Sequence, residues 1–456
     1  MRSRLSQTLI ALLALALLWS VAPAHAAPAR VTASDLRALL TSQLQEHAFL
    51  AASATGAALG GRDAEFKAAA DALDANSVDI SKSIGLVYGS DAEKAFLPLW
   101  RKHIGFFVDY TTGTAAKDKA KQDKAVADLV QYTEDFGAFL SSANPNLPKA
   151  TVADLVRTHV LTLKDVVDAQ AAGNPAKAYD ALRMAYSHMD MIAAPLSGAI
   201  AKQFPDKFAG STEAADTKLR VSLTSLLQEH AALATSATGA ALGGRDAEFK
   251  AAADSLDANS VDISKAIGSV YGADAEKAFL PLWRKHIGFF VDYTTGTAAK
   301  DKAKQDKAVA DLVQYTEDFG AFLSSANPNL PKATVADLVR THVLTLKDVV
   351  DAQAAGDPAK AFGAFRTSFA HMTMIADPLS SAISKQFPDK FGGATTGATT
   401  GGSTGATTGG TTTGSAPARM PATGGESSMP WGAVLGLAVL LALLGGFVTL
   451  RSRRSA

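Results

Sequence analysis

The stretch LWRKHIGFF, residues 99–107, places a histidine, His103, in the middle of an apolar run. The same nine residues return at 282–290, with His286 at their centre. They belong to a longer repeat, in which residues 94–173 recur unchanged as 277–356 at an offset of 183. Because self-similarity at a fixed offset marks a repeated structural unit, we expect two tandem modules, residues 33–210 and 217–393.

Each module is predicted to be all-α. Apolar residues recur at spacings of three and four, and Gly and Pro cluster where one periodic segment gives way to the next. In the first module this pattern predicts six helices, with Asp63, Ser90 and Asn174 as N-caps. The helices are expected over residues 34–59, 62–87, 90–112, 115–142, 149–172 and 175–203.

A shorter period runs inside each module. His47, His103 and His159 are 56 residues apart, and the same spacing joins Asn76, Tyr132 and His188. One period fits one helical hairpin, so each module is predicted to be a six-helix bundle of three hairpins. The first helix of every hairpin carries His at the common position, whereas the common position of the second helix varies.

The histidines are confined to this scheme. Of the nine, one lies in the expected signal peptide, and the other eight occupy the hairpin positions of the two modules. They follow helical stripes of apolar residues, so we expect them to point inward and some of them to lie close together. They are either structural core residues or ligands, since neutral imidazole commonly binds transition metals.

The third hairpin carries the stronger metal signal, because the repeat copies His47 into His103 and His159 but does not account for His188. HMDMI at 188–192 becomes HMTMI at 371–375, and thioether with imidazole favours copper. The predicted ligands are His47, His103, His159, His188, Met191, His230, His286, His342, His371 and Met374. The predicted supporting residues are Asn76, Asp79, Tyr132, Asp135, Met189, Asn259, Asp262, Tyr315, Asp318 and Met372.

Composition and motifs narrow the function. The chain has no cysteine, which excludes thiolate sites and disulfides. Its 44 basic and 44 acidic residues balance, so no nucleic-acid partner is predicted. There is no nucleophile elbow, phosphate loop or His-Glu-x-x-His motif, so an enzyme, of redox type, is only the third alternative to a metal-binding protein.

Both ends of the chain look like targeting segments. Residues 1–26 have the pattern of a signal peptide, 394–419 form a Gly/Thr-rich stalk, 431–450 are apolar enough to span a bilayer, and 451–456 are basic. The motif MPATGG at 420–425, with this span and tail, resembles the cell-wall sorting signal of Gram-positive surface proteins, although Met420 stands where Leu is usual. The resemblance implies that a sortase cleaves between Thr423 and Gly424 and links the chain to peptidoglycan. The alternative is a single-span membrane anchor, and either arrangement places the modules outside the cell.

Four stretches suggest a family. QEHAFLAASATGAALGGRDAEF (45–66), WRKHIGFFVDYTTG (100–113), LSSANPNLPK (140–149) and HMDMIAAPLSGAIAKQFPDKF (188–208) resemble a secreted bacterial helical domain often labelled copper amine oxidase-like. The resemblance keeps copper as a candidate. The sequence has no Asn-Tyr dipeptide, the context of the quinone-forming tyrosine in true copper amine oxidases, so amine oxidation is not predicted.

The sequence thus favours a surface-anchored helical protein that binds a transition metal, copper first, for capture, buffering or delivery. Zinc is the alternative metal. A haem-binding surface protein, or an adhesion or spacer module with structural histidines, are the alternative functions.

Overall fold

The computed structural model describes residues 31–392, and this part of the chain is almost wholly helical. The first module contains α1 (Ala33–Leu59), α2 (Asp63–Tyr88), α3 (Ser90–Ala115), α4 (Lys119–Ala143), α5 (Lys149–Ala171) and α6 (Pro175–Gln203). The second contains α7 (Ala215–Leu242), α8 (Asp246–Tyr271), α9 (Ala273–Ala298), α10 (Lys302–Ala326), α11 (Lys332–Ala354) and α12 (Pro358–Gln386), followed by the single turn α13 (Pro388–Phe391). The predicted all-α fold is confirmed.

The helix boundaries differ from the predicted ones at a few places. Asn174 caps α6 as predicted, by accepting a hydrogen bond from the Lys177 amide, but Asp63 and Ser90 are first helical residues and not N-caps. The break predicted at residues 113–114 lies about three residues later, because α3 continues to Ala115 and α4 begins at Lys119. Gly113 serves close packing instead, since a Cβ there would lie 3.1 Å from the Gln122 amide of α4.

The six helices of a module form a closed ring, in which each helix packs against the next and α6 returns to α1. The first helices of the three hairpins, α1, α3 and α5, also contact one another across the centre. The second helices lie outside them. The 56-residue period therefore corresponds to a pseudo-threefold axis that relates the three hairpins of a module. Helices α7 to α12 repeat the arrangement in the second module.

The two modules pack side by side. Helix α1 contacts α7, while α6 contacts α8 and α12 contacts α2, so the pairing has a pseudo-twofold axis. Arg183 of α6 binds Glu229 and Asp262 of the second module, and Arg366 of α12 makes the equivalent ion pairs with the first. The apolar core also crosses this boundary, where the rings of Phe49 and Phe365 lie 4.8 Å apart.

Candidate metal centre

Three histidines of each module meet on the pseudo-threefold axis. His47 on α1, His103 on α3 and His159 on α5 are only 1%, 2% and 5% exposed. They lie at the same level because they hold the same position in three successive hairpins whose first helices form the inner layer. The predicted inward orientation of these three side chains is confirmed, and we call them the first triad.

The imidazoles of the first triad are close enough to share one ion. The Nε2 atoms of His47 and His103 are 3.3 Å apart. Ring centroids lie 5.3 Å apart for this pair, 5.8 Å for His47 and His159, and 6.4 Å for His103 and His159. One ligand nitrogen from each residue lies within 4.8 Å of the other two.

The second module repeats the geometry with His230, His286 and His342, the second triad. The Nε2 atoms of His230 and His286 are also 3.3 Å apart, and one ligand nitrogen from each residue again lies within 4.8 Å of the others. The chain therefore carries two buried groups of three histidines that could each hold a metal ion.

The triad imidazoles are neutral at physiological pH. Burial lowers the pKa of His103 to about 4 and that of His159 to about 3, where the neighbouring imidazoles add to the effect. In the second triad burial lowers the pKa of His286 to about 3 and that of His342 to about 4. Burial also holds the pKa of His47 well below its usual value. A neutral imidazole keeps the lone pair that a metal needs.

The donor set fits a transition metal. Both ring nitrogens of His159 and the Nδ1 atom of His47 are buried without a hydrogen-bond partner in the protein, which is unusual for buried polar atoms. Four ligands at 2.0–2.1 Å in a tetrahedron are about 3.3 Å apart, the separation that His47 and His103 already have. A metal would draw the third nitrogen inward by up to about 1.5 Å.

Aromatic side chains enclose the first triad. The Trp100 ring lies 4.8 Å from the ring of His47 and 4.7 Å from that of His103, and Tyr132 stacks on His103 at 5.1 Å. Tyr132 was predicted as a supporting residue, and Tyr315 holds the same place beside His286. Trp100 and its counterpart Trp283 were missed, although each lies three residues before a triad histidine on the same helical face.

An apolar cavity of about 60 Å³ adjoins each triad along the axis, lined in the first module by His103, His159, Trp100 and Tyr132 among others. A bound haem would need a cavity of several hundred Å³. It would also need room for the porphyrin between two axial imidazoles. The imidazoles of His47 and His103 are instead in direct contact. The haem alternative does not fit this structure.

His188 lies outside the triad. Its Nε2 atom is 2.9 Å from the Leu155 carbonyl of α5, one turn before His159. Asn76, at the same position in the first hairpin, likewise donates to the Gln43 carbonyl one turn before His47. In two of the three hairpins, the side chain at the common position therefore ties the outer helix to the inner one, and His371 does the same through Leu338. Tyr132, at the common position of the second hairpin, makes no such bond. The backbone bond explains His188 without a metal.

The prediction that Met191 and Met374 point inward as ligands is wrong. Their side chains are 61% and 59% exposed, because they lie on the outer surface of α6 and α12. The neighbouring Met189 and Met372 are the buried ones, each 1% exposed, and they line the axial cavities. Of the two methionines in the HMxM sequence, the first therefore faces the core and the second does not.

The predicted supporting carboxylates are engaged elsewhere. Asp79 pairs with Arg366 across the module boundary, and Asp262 pairs with Arg183 in the same way. Asp135 and Asp318 are exposed and accept hydrogen bonds from Gln131 and Gln314.

The predicted supporting amides are also engaged elsewhere. Asn76 and Asn259 donate to the carboxylates of Glu46 and Glu229, which also bind the arginines of the boundary. No carboxylate joins either triad among the described residues.

The predicted signal peptide, stalk, sorting motif, membrane span and basic tail all lie outside the described residues. Within residues 31–392, none of the helices has the length and apolar character to cross a membrane. Comparison with protein-family models, with curated proteins and with solved structures finds no match.

Proposed function

We propose that each module binds one transition-metal ion, copper first, through its histidine triad. The observation that carries the proposal is the convergence of three buried, neutral imidazoles whose ligand nitrogens lie within 4.8 Å of one another, repeated in both modules. The unpartnered ring nitrogens of His159 and His342 support it, because the protein itself leaves them without hydrogen bonds.

The charge of the site favours copper in its monovalent state. Imidazole suits copper, zinc, iron and nickel, so the donor type alone leaves the metal open. The triads contain no carboxylate, and their surroundings are apolar and aromatic. Since burying a net charge in such surroundings is costly, one positive charge is easier to accommodate than two. Zinc, with two charges, is the alternative.

The proposed role is capture, buffering or delivery of the metal at the cell surface. This role is supported by the presence of two triads in one chain whose sequence has none of the catalytic motifs named above. It is also supported by the resemblance of the C-terminal end to a sorting signal. Sortase and peptidoglycan are the corresponding proposed partners, and the modules would stand outside the membrane on the stalk.

Metal uptake by the purified chain tests the proposal. After treatment with a chelator, the protein is dialysed against Cu⁺ under reducing conditions, and separately against Zn²⁺, and the bound metal is measured by elemental analysis. We expect two ions per chain for the unaltered protein, one for His103→Leu, and none for His103→Leu combined with His286→Leu.

His188→Asn is the matched control. Asn already makes the equivalent backbone bond at position 76, so this variant should keep both ions. The proposal fails if the protein takes up no metal with sub-micromolar affinity, or if uptake is the same with and without the triads. Either outcome would leave the histidines with a structural role in an adhesion or spacer module.

A further inference from the structure

A cleft of about 810 Å³ lies between the two modules, and none of the triad histidines lines it. Its walls are the turn between α1 and α2 with the start of α6, and the equivalent turn between α7 and α8 with the start of α12. The pseudo-twofold axis relates these segments, so each module supplies one half of the cleft. Cavities of about 300–1,000 Å³ at the boundary between two structural units are typical of small-molecule sites.

The inner surface of the cleft is largely apolar and partly aromatic. Tyr179 of α6 and Phe362 of α12 hold the same position in the two modules, and both line the cleft together with Phe49 of α1. Val166 and Leu182 extend the apolar surface. Such walls favour a ligand with an apolar body, and the faces of aromatic rings also attract cations.

The two arginines of the cleft are already paired with carboxylates. Arg62 Nε lies 2.7 Å from Glu65, and Arg245 Nε lies 2.7 Å from Glu248, so each half contains one ion pair without net charge. Burial raises the pKa of the Tyr179 hydroxyl, and the neighbouring Glu248 carboxylate adds to this effect across the boundary. The arginines therefore leave no excess positive charge that would favour an anion.

Three further carboxylates give the cleft a net negative charge. Asp63, Asp246 and Asp357 line it, and none of them forms an ion pair within the described part of the chain. They lie at the N-terminal ends of α2, α8 and α12, whose partial positive charges are only about half a unit each, so negative charge remains. A concave surface with an excess of one sign of charge attracts ligands of the opposite sign.

We infer that this cleft binds an organic cation. The apolar part of the ligand lies against the rings of Tyr179 and Phe362, and its positive charge faces the three unpaired aspartates. The inference goes beyond the proposed function and does not depend on it, because no residue of either triad lines the cleft. It gives the boundary between the modules a binding role of its own.

Calorimetric titration of the purified chain with tetraphenylphosphonium tests the inference. Tetraphenylborate is the matched ligand, since it has the same shape and the opposite charge. We expect saturable binding of one cation per chain, with an affinity that falls as the salt concentration rises, because the aspartates are exposed. The anion should bind about tenfold more weakly or not at all.

Removing charge from the cleft should weaken the binding of the cation. Asp63→Asn with Asp246→Asn leaves one of the three unpaired aspartates and should lower the affinity about fivefold or more. Asp71→Asn with Asp254→Asn is the matched control, because it changes the net charge equally on the same two helices, at residues that do not line the cleft. The affinity of this control should stay within about twofold of that of the unaltered chain.

The aromatic wall has a control of its own. Tyr179→Phe should bind the cation as the unaltered chain does, since Phe already holds this position in the second module. Tyr179→Leu should bind it several-fold more weakly, because the ring is lost. Thermal unfolding establishes that each variant is folded, and its metal content should match that of the unaltered chain. The inference is overturned if the chain binds neither ion, if the anion binds as tightly as the cation, or if Asp63→Asn with Asp246→Asn leaves the affinity for the cation unchanged.

Discussion

A triad histidine is a polar group held in apolar surroundings, and this has a cost in the metal-free protein. His159 shows it best, because neither ring nitrogen has a hydrogen-bond partner. His188, at nearly the same burial, keeps its bond to the Leu155 carbonyl. The two residues therefore differ in what an apolar substitution would do.

We expect His159→Leu to raise the free energy of unfolding of the metal-free protein by about 1–2 kcal/mol, since an unsatisfied buried imidazole is replaced by a side chain of similar size. His188→Leu should instead lower it by about 1 kcal/mol, because a backbone bond is lost. Urea denaturation in the presence of a chelator measures both. A loss of stability in His159→Leu as large as that in His188→Leu would contradict this reading of the triad.

The depressed pKa values of the triads make stability depend on pH. In the unfolded chain the imidazoles take up protons near pH 6.5, whereas in the folded protein His103 and His159 do so only at about 4 and 3. The unfolded state thus binds more protons between these values. The free energy of unfolding of the metal-free protein should be at its full value above pH 6.5 and fall as the pH is lowered toward 4.

Because carboxylates also titrate at the lower end of this range, a variant isolates the histidines. His159→Leu with His342→Leu should show a shallower loss between pH 6.5 and 4.5 in urea titrations at a series of pH values. Identical slopes for the variant and the unaltered chain would show that these imidazoles are not held neutral by the fold.

At the scale of the helices, the ring depends on close approaches between neighbours. Gly137 of α4 faces α5, where a Cβ would lie 2.8 Å from the Lys149 carbonyl, whereas a Cβ at Gly105 of α3 would meet nothing within 4 Å. Gly137→Ala should therefore lower the free energy of unfolding by about 1–3 kcal/mol through overpacking. Gly105→Ala should raise it by about 0.5–1 kcal/mol, because alanine is the better helix former. Thermal and urea unfolding of the two variants compare them directly, and stabilisation by both would show that α4 and α5 are further apart.

The period of the sequence predicted the helices and that some of the inward histidines lie close together, because equivalent positions of three hairpins fall at one level. It did not single out the three that meet. It did not predict which of the positions flanking His188 faces inward. Met189 and Met191 lie on opposite sides of His188 around the helix, and the packing of α5 and α1 against α6 decides between them. The hydrogen bond of His188 could not be predicted either, since its carbonyl partner is a backbone atom of another helix.

At the scale of the whole molecule, the boundary between the modules is built from charged residues that the sequence gives no reason to pair. Glu46 follows the polar pattern of a solvated position, yet its side chain is only 10% exposed and binds Arg366, which lies 320 residues away. Such pairing follows from the pseudo-twofold contact of two complete bundles. A helical period within one bundle contains no information about it.

Arg366→Gln should lower the free energy of unfolding by about 1–3 kcal/mol, because it leaves the largely buried carboxylate of Glu46 without its cation. Arg101→Gln is the matched control, since its pair with Asp74 is exposed and should contribute at most about 0.5 kcal/mol. Differential scanning calorimetry would also show whether the two modules still unfold in one transition. Equal effects of the two substitutions would mean that the modules do not pair through this contact.

X-ray absorption spectroscopy of the copper-loaded chain would show whether three imidazoles of one module bind one metal ion, because it reports the number, type and distance of the ligands. We expect about three imidazole nitrogens at about 2.0 Å from each ion, with the outer-shell scattering of imidazole rings. This signal should be lost in His103→Leu combined with His286→Leu. A first shell of oxygen or sulfur without imidazole scattering would contradict this expectation.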